Sequence, residues 1–226
     1  MCNTPVSPRE SDRGAYPEEQ DDRRMSARKT VRFYYSVGSR YSYLASTQMA
    51  KLERETGCEV VWRPLYSVDL FGLRGTSPFE GRPVSGQYDW DYRRLDAKRW
   101  ADHYGVPYEE PRGAVDFDPR LLARACAAAD ALGAVRPYSE SLFAAIFVEA
   151  LSEIGTEQCV ERAETLGLPR GEFARELGSP ETERRLAETA EEACSAGAFG
   201  VPTFVVDGRT YWGNDRLVLL RDYIDP

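Results

Sequence analysis

The chain has 226 residues, enough for one domain, or one domain with a large insertion, to bury a core without disulfides or metal. Its net charge of −8 argues against a nucleic-acid binder, which needs a basic face for phosphates, and no uncharged apolar run approaches the roughly 18 residues of a membrane span. The single histidine, His103, and five scattered cysteines without a C-x-x-C pair argue against a histidine-rich metal site, a serine–histidine triad or a paired-cysteine redox centre.

In chain order, residues 1–29 mix Pro, Ser, Glu, Asp and Arg with almost no aliphatics, too little apolar surface to offset ordering entropy, and read as a disordered tail. No apolar core of a secretory signal occurs there, so a cytoplasmic location is expected. From Val31, VRFYYSV is β-prone. Gly38 breaks it, and YSYLASTQMAKLERETG carries helical spacing up to a stop at Gly57. CEVVWRPL follows as a second strand, closing a β-α-β unit. SVDLFGLRGTSPFEGRPVSGQ, rich in Gly, Pro and Ser, reads as a long loop of functional character.

DYRRLDAKRWADHYG, PRLLARACAAADALGA, YSESLFAAIFVEALSEIG, TEQCVERAETLG and ETERRLAETAEEACSAG then show helical periodicity, giving at least five consecutive helices. At the C-terminus PTFVV and RTYWG flank Asp207 and Gly208, a pair suited to the positive φ values of a two-residue hairpin turn. NDRLVLLRDYI closes the chain as a helix with Asn214 or Asp215 available as N-cap. Cys2, Cys58, Cys126, Cys159 and Cys194 are read as structural.

The order β-α-β, helices, β-β-α resembles the thioredoxin fold with a helical domain inserted between its halves, as in the DsbA-like branch. Two motifs, FYYSVGSRYSYLAS and FGVPTFVVDGRTYWGNDRL, look like those of the 2-hydroxychromene-2-carboxylate isomerase family and its kappa-class glutathione transferase relatives. The resemblance runs from about Val31 to the C-terminus. It implies an α/β thioredoxin-like fold in which 30–66 and 198–226 form the thioredoxin-like domain and 67–197 supply a loop and an inserted all-helical domain.

It also implies roles. Ser39 stands where redox relatives carry cysteine, and it would hydrogen-bond the sulfur of bound glutathione or another low-molecular-weight thiol. Independently, a hydroxyl at a strand-to-helix turn can donate to a thiolate that the helix start also favours, although a serine there can equally be only an N-cap. Val201 and Pro202 match the cis-proline segment that orients the thiol's backbone, Phe199 and Gly200 shape its cleft, and Asn214, Asp215 and Arg216 match the segment holding its γ-glutamyl end. Arg40 is a departure, since relatives place proline there. Such a cation either lowers the thiol pKa, binds an anionic substrate or points outward to solvent. Tyr41, Arg63, Tyr66, Phe71, Tyr88, Tyr92 and Arg93 are candidate substrate residues.

The expected activity is thiol-dependent isomerisation of an unsaturated, conjugated carbonyl or carboxylic compound by reversible thiol addition, including cis-trans change at a double bond. A kappa-class-like transferase and a non-catalytic thiol-binding or scaffold protein are the alternatives. No metal, nucleic acid or membrane enters this reading. The relatives imply a homodimer.

Overall fold

The computed structural model describes residues 28–75, 89–113 and 115–225. Residues 1–27 of the tail read as disordered, Cys2 among them, Tyr88 and the second half of the long loop lie outside the described residues. Arg28 and Lys29 at the end of that tail are held instead, Arg28 donating to the Gly57 carbonyl at 3.1 Å and Lys29 pairing with Asp207 at 3.1 Å.

Strand β1 (Thr30–Tyr35) is built of β-branched and aromatic residues and is covered on both faces, so Val31, Phe33, Tyr34 and Tyr35 are all buried. It pairs in parallel with β2 (Glu59–Pro64), and antiparallel with β3 (Thr203–Val206), which pairs antiparallel with β4 (Arg209–Trp212). The sheet order is β2-β1-β3-β4. Register sets Trp62, Phe33, Phe204 and Tyr211 in one row across the sheet, and Arg63, Tyr34, Thr203 and Trp212 in the next row on the other face.

The first row anchors the core. Phe33 lies 5.1 Å from Trp62 edge-on and 5.2 Å from Phe204 in a stack, and Tyr35 lies 5.0 Å from Phe33. Such pairs contribute about 0.5–1.5 kcal/mol each beyond burial. The opposite face packs Tyr34 and Val205 against Leu65, Leu70, Ala193 and Ala198.

Between the halves of the sheet stand α3 (Ser67–Arg74), α4 (Trp90–Tyr104), α5 (Pro119–Ala131), α6 (Val135–Phe147), α7 (Thr156–Thr165), α8 (Arg170–Gly178) and α9 (Pro180–Ser195). Their starts follow local chemistry. The carboxylate of Asp89 accepts from the Tyr92 amide at 2.8 Å, and Asp118-Pro119 and Ser179-Pro180 each place a capping oxygen before a proline at the first helical position. The result is an α/β thioredoxin-like fold with helices inserted between its two halves, as expected.

Four local expectations are corrected. The first helix is two, α1 (Arg40–Ser46) and α2 (Met49–Thr56), because the hydroxyls of Ser46 and Thr47 donate back to the carbonyls of Tyr43 and Leu44 and compete with the helical ladder there. Gly57 does stop α2, in the left-handed conformation at φ 68°. The first half of the long loop is helix α3, held by the burial of Leu70 and by Asp69 pairing with Arg120 at 3.0 Å. Helix α6 ends at Phe147, where the amides of Val148 and Glu149 both donate to the Ala144 carbonyl. Helix α8 carries Gly171 and Gly178, which hide its period, and it is held by buried Phe173 and Leu177.

The C-terminal hairpin forms as expected, with Asp207 at φ 50° and Gly208 at φ 74°. Neither Asn214 nor Asp215 caps the last helix. A 3-10 turn (Asn214–Arg216) precedes α10 (Leu217–Ile224), whose N-cap Arg216 makes no side-chain cap bond.

Candidate functional site

Strand direction brings three segments to one end of the sheet. β1 rises into residues 36–39. Since β3 starts at Thr203 opposite Tyr34, the segment entering it through Phe199, Gly200, Val201 and Pro202 lies at that same end. Since β4 ends with Trp212 opposite Thr203, its exit through Gly213 into the 3-10 turn returns there as well, and the turn lies against α1.

At the β1–α1 junction the Ser39 amide donates to the Ser36 carbonyl at 3.0 Å, and the Ser39 Oγ accepts from the Ser42 amide at 3.2 Å. Ser39 is therefore the N-cap of α1, with extended backbone at φ −97°, ψ 117°. Accepting that bond uses one lone pair and leaves the hydroxyl proton to be donated elsewhere. Capping and donation to a ligand sulfur are compatible in this geometry.

The Val201-Pro202 peptide is cis. Around it the Gly213 amide donates to the Pro202 carbonyl at 3.0 Å and the Thr203 hydroxyl donates to the Gly200 carbonyl at 2.7 Å. Gly200 is required by close approach, because a Cβ there would stand 2.8 Å from Trp212 Nε1. Trp212 in turn packs against the exposed Phe199, the ring centroids 4.9 Å apart and the planes tilted by 52°. Gly213 has φ 105°, and a Cβ on it would collide with the Asp215 carboxylate.

Within the 3-10 turn the three expected residues separate. Asn214 is buried: its carbonyl accepts from the Tyr104 hydroxyl at 3.1 Å and its side-chain amide donates to the same oxygen at 3.3 Å. Burial pushes the Tyr104 hydroxyl pKa up. Asp215 and Arg216 pair loosely with one another at 3.5 Å, and both are reached by solvent. Asp215 opens on a cleft of about 500 Å³ whose lining includes Gln48, Lys51, Trp100, His103 and Tyr104. Ser39 does not line that cleft.

Arg40 does not point outward. Its side chain is only 12% exposed and pairs through Nε with Glu110 at 2.8 Å, with the Trp90 ring centroid 5.4 Å from the guanidinium carbon. Glu110 also accepts from the Tyr108 hydroxyl and pairs with Arg94 at 3.2 Å. Burial, followed by the bond to Glu110, raises the Tyr108 pKa. Beside this group the Tyr41 hydroxyl donates to Asp96 at 2.9 Å, its pKa raised to about 12 by burial and then by that carboxylate, and Arg93 lies 5.5 Å from the Tyr41 ring and 5.3 Å from Trp90. Tyr92 is exposed on α4.

The other described candidates have different partners, although β2, parallel to β1, ends at the same edge of the sheet. Arg63 is engaged by Glu192 of α9, which also binds Arg32 at 3.0 Å. Tyr66 packs on Ala123, Ala127 and Leu186 beneath the guanidinium of Arg120, 4.9 Å away. Phe71 lies on α3, and Tyr88 is outside the described residues. Glu110, Tyr108 and Asp96 were missed by sequence reasoning, and Trp90 was read only as one of several aromatic core or cleft-wall residues. Glu110 stands 70 positions from Arg40, and no motif in the sequence links them.

Cys58, Cys126 and Cys159 are buried, and burial pushes their thiols up, to about 12 for Cys126 and about 11 for Cys159. That suits packing rather than nucleophilic use. Among the described residues no cluster of three His, Cys, Asp or Glu side chains could hold a metal ion, and no helix is long and apolar enough to cross a membrane.

The chain is 28% identical over 196 residues to 2-hydroxychromene-2-carboxylate isomerase of Sphingobium xenophagum, a match spanning 87% of this chain and 98% of that one. It is 26% identical over 208 residues to glutathione S-transferase kappa 1 of Homo sapiens, spanning 85% and 89%. A solved 2-hydroxychromene-2-carboxylate isomerase superposes with a TM-score of 0.75 at 26% identity, covering 86% of this chain and 94% of that one. The cytosolic disulfide reductase DsbM of Pseudomonas aeruginosa, solved with GSH, shares the fold at a TM-score of 0.59 and 22% identity, covering 86% and 95%. Relatives named as isomerases and glutathione transferases support enzymatic activity of that kind. Residues 30–225 match the family model described as the DSBA-like thioredoxin domain, and the chain belongs to that family.

Proposed function

We propose that the protein is a thiol-dependent isomerase of unsaturated, conjugated carbonyl or carboxylic compounds, using glutathione or a similar low-molecular-weight thiol that is returned at each turnover. The observation that carries this reading is Ser39, a capping serine whose hydroxyl proton is left over, on the first turn of α1 in a chain with no cysteine at that position. A hydroxyl there can stabilise a thiolate but cannot form a disulfide with one, which favours addition chemistry over redox exchange.

The surrounding residues fit a thiol tripeptide. The cis peptide at Val201-Pro202 just ahead of β3, the glycine-lined corner at Gly200 and Gly213, and the solvent-reached carboxylate of Asp215 offer, in turn, backbone groups for the thiol's peptide, close backbone approach and a partner for an ammonium group. When bound, such a thiol supplies the nucleophilic sulfur that adds to the conjugated carbon and leaves again. Ser39 donates to the sulfur, Val201 and Phe199 border it, and Asp215 holds the far end. Asn214 acts through its backbone, since its side chain is committed to Tyr104. A homodimer in the cytoplasm, implied by the family resemblance, is part of the same proposal.

The test is stoichiometric. Conjugated acids are incubated with the protein and glutathione while isomer ratio and free thiol are followed together. Isomer formation at constant thiol supports the reading. Loss of one thiol per product would instead establish the transferase reading, which the kappa-class similarity favours, and isomerisation without any thiol would overturn both.

A further inference from the structure

The group built around Glu110 is not needed to hold a thiol. Its side chain is 8% exposed, and this one carboxylate serves two guanidiniums, Arg40 at 2.8 Å and Arg94 at 3.2 Å, while also accepting from Tyr108. Of the two guanidiniums only Arg40 is enclosed, at 12% exposure, whereas Arg94 is 55% exposed and reaches solvent. Arg40 Nη1 is buried without a hydrogen-bond partner. An enclosed donor lacking an acceptor is unfavourable, and a guanidinium is shaped to take a carboxylate with two parallel bonds. Arg40 directly follows Ser39 in the chain, so its backbone adjoins the residue that would hold the sulfur in the proposed function. Around it Arg112 pairs with Glu109 at 3.3 Å and Asp91 lines the same pocket as Arg94, so what stays open is the Arg40 Nη1 donor rather than a net charge.

We infer that Arg40 is a specificity-determining residue that binds the carboxylate of an unsaturated acid substrate, and that Glu110, braced by Tyr108 and Arg94, positions it. This rests on the proposed function for the location of the reacting carbon, though not for the binding of the acid. Held by Glu110 and beside Trp90, the guanidinium keeps one orientation, so recognition loses little to side-chain ordering.

The test uses a matched pair of probes, trans-cinnamate and its methyl ester, which differ in charge but hardly in shape. Binding to the full chain is measured by calorimetry without thiol. Wild type should bind the acid at least about tenfold more tightly than the ester, as expected for a desolvated charge-assisted pair. Arg40→Met should bring that ratio below about threefold, and Arg40→Lys should restore part of it. Glu110→Gln should lower the ratio, and in the double variant it should add nothing to Arg40→Met, because it acts through Arg40. Circular dichroism identifies variants that fail to fold, and for those the Arg40→Lys ratio decides. Equal binding of acid and ester by wild type, or a ratio unchanged in Arg40→Met or in Arg40→Lys, would overturn the inference. Failure of thiol-dependent isomerisation with intact acid selectivity would count against the proposed function alone.

Discussion

Replacing Ser39 separates a cap from a thiol donor, because the two roles respond in opposite order to two substitutions. Ser39→Ala removes the bond from the Ser42 amide, which stabilises the first turn of a seven-residue helix. Loss of such a cap costs about 0.5–2 kcal/mol. In a chain of this size, each kcal/mol lowers Tm by roughly 2–4 °C. Ser39→Asp keeps an acceptor for that amide and puts a negative charge at the helix start, so its stability should equal or exceed wild type. For the bound thiol the order reverses. A hydrogen bond to a charged group is worth about 1.5–3 kcal/mol, which corresponds to about one to two pKa units. That bond favours the thiolate, so Ser39→Ala should raise the pKa of bound glutathione by this amount. Ser39→Asp should raise it at least as far, since a carboxylate cannot donate and repels the sulfur. Melting by circular dichroism should thus rank Asp at or above Ser and Ala last, whereas thiolate absorbance of the complex across pH should rank Ser first and Asp last. A Ser39→Asp protein that keeps wild-type thiolate formation would refute the donor role.

Phe33→Ala removes a fully buried ring with three aromatic neighbours and should lower stability by about 3–5 kcal/mol in urea titrations, with the slope unchanged. Burial works to raise the Glu192 carboxyl, but the Tyr34 hydroxyl and the Arg63 and Arg32 guanidiniums outweigh it and hold its pKa below the usual carboxylate value. A depressed folded pKa contributes stability above the unfolded value of about 4.3 and loses it as pH falls through the folded value, so Glu192→Gln should flatten that part of the stability–pH curve. In variants retaining only Cys126 or only Cys159, native protein at pH 8 should react with a disulfide reagent at least about tenfold more slowly than the same protein in denaturant. Comparable rates would mean that these thiols are not enclosed.

What was legible in the sequence was local. The turn at Asp207 and Gly208 depends on two residues that tolerate positive φ, and Ser39 sits within four positions of the strand that delivers it. Covered strands with long apolar runs also announce themselves. The break between α1 and α2 was not legible, because Ser46 and Thr47 favour helix or bend according to whether their hydroxyls turn back onto the ladder. Helix α3 hid behind Gly72 and Gly75, and is secured by tertiary contacts of Leu70 and Asp69 rather than by propensity. Within the site the residues in one motif were nameable, while their partners were not. Asn214 could be named but not its burial against Tyr104, and Arg40 could be named but not Glu110, because those pairings are made between segments distant in sequence.

The precision of the site is set in the sheet rather than in the residues that would touch a ligand. Phe204 stacks on Phe33 in the row that packs against Trp62, whereas Thr203 lies in the opposite row beside Tyr34. A one-residue slip of β3 would put Thr203 or Val205 under Phe33 and turn the Phe204 ring toward the alanine-lined face formed by Ala193 and Ala198, which has been fitted to Val205. The large aromatic row thus penalises every register but one. That register brings Pro202 to the level of the β1 exit, and through Thr203 opposite Trp212 it also brings Gly213, whose amide reaches the Pro202 carbonyl at 3.0 Å. Substitutions that loosen Phe33, Trp62 or Phe204 should therefore degrade thiol binding before they unfold the chain, since this row fixes the register of the strands that deliver the site.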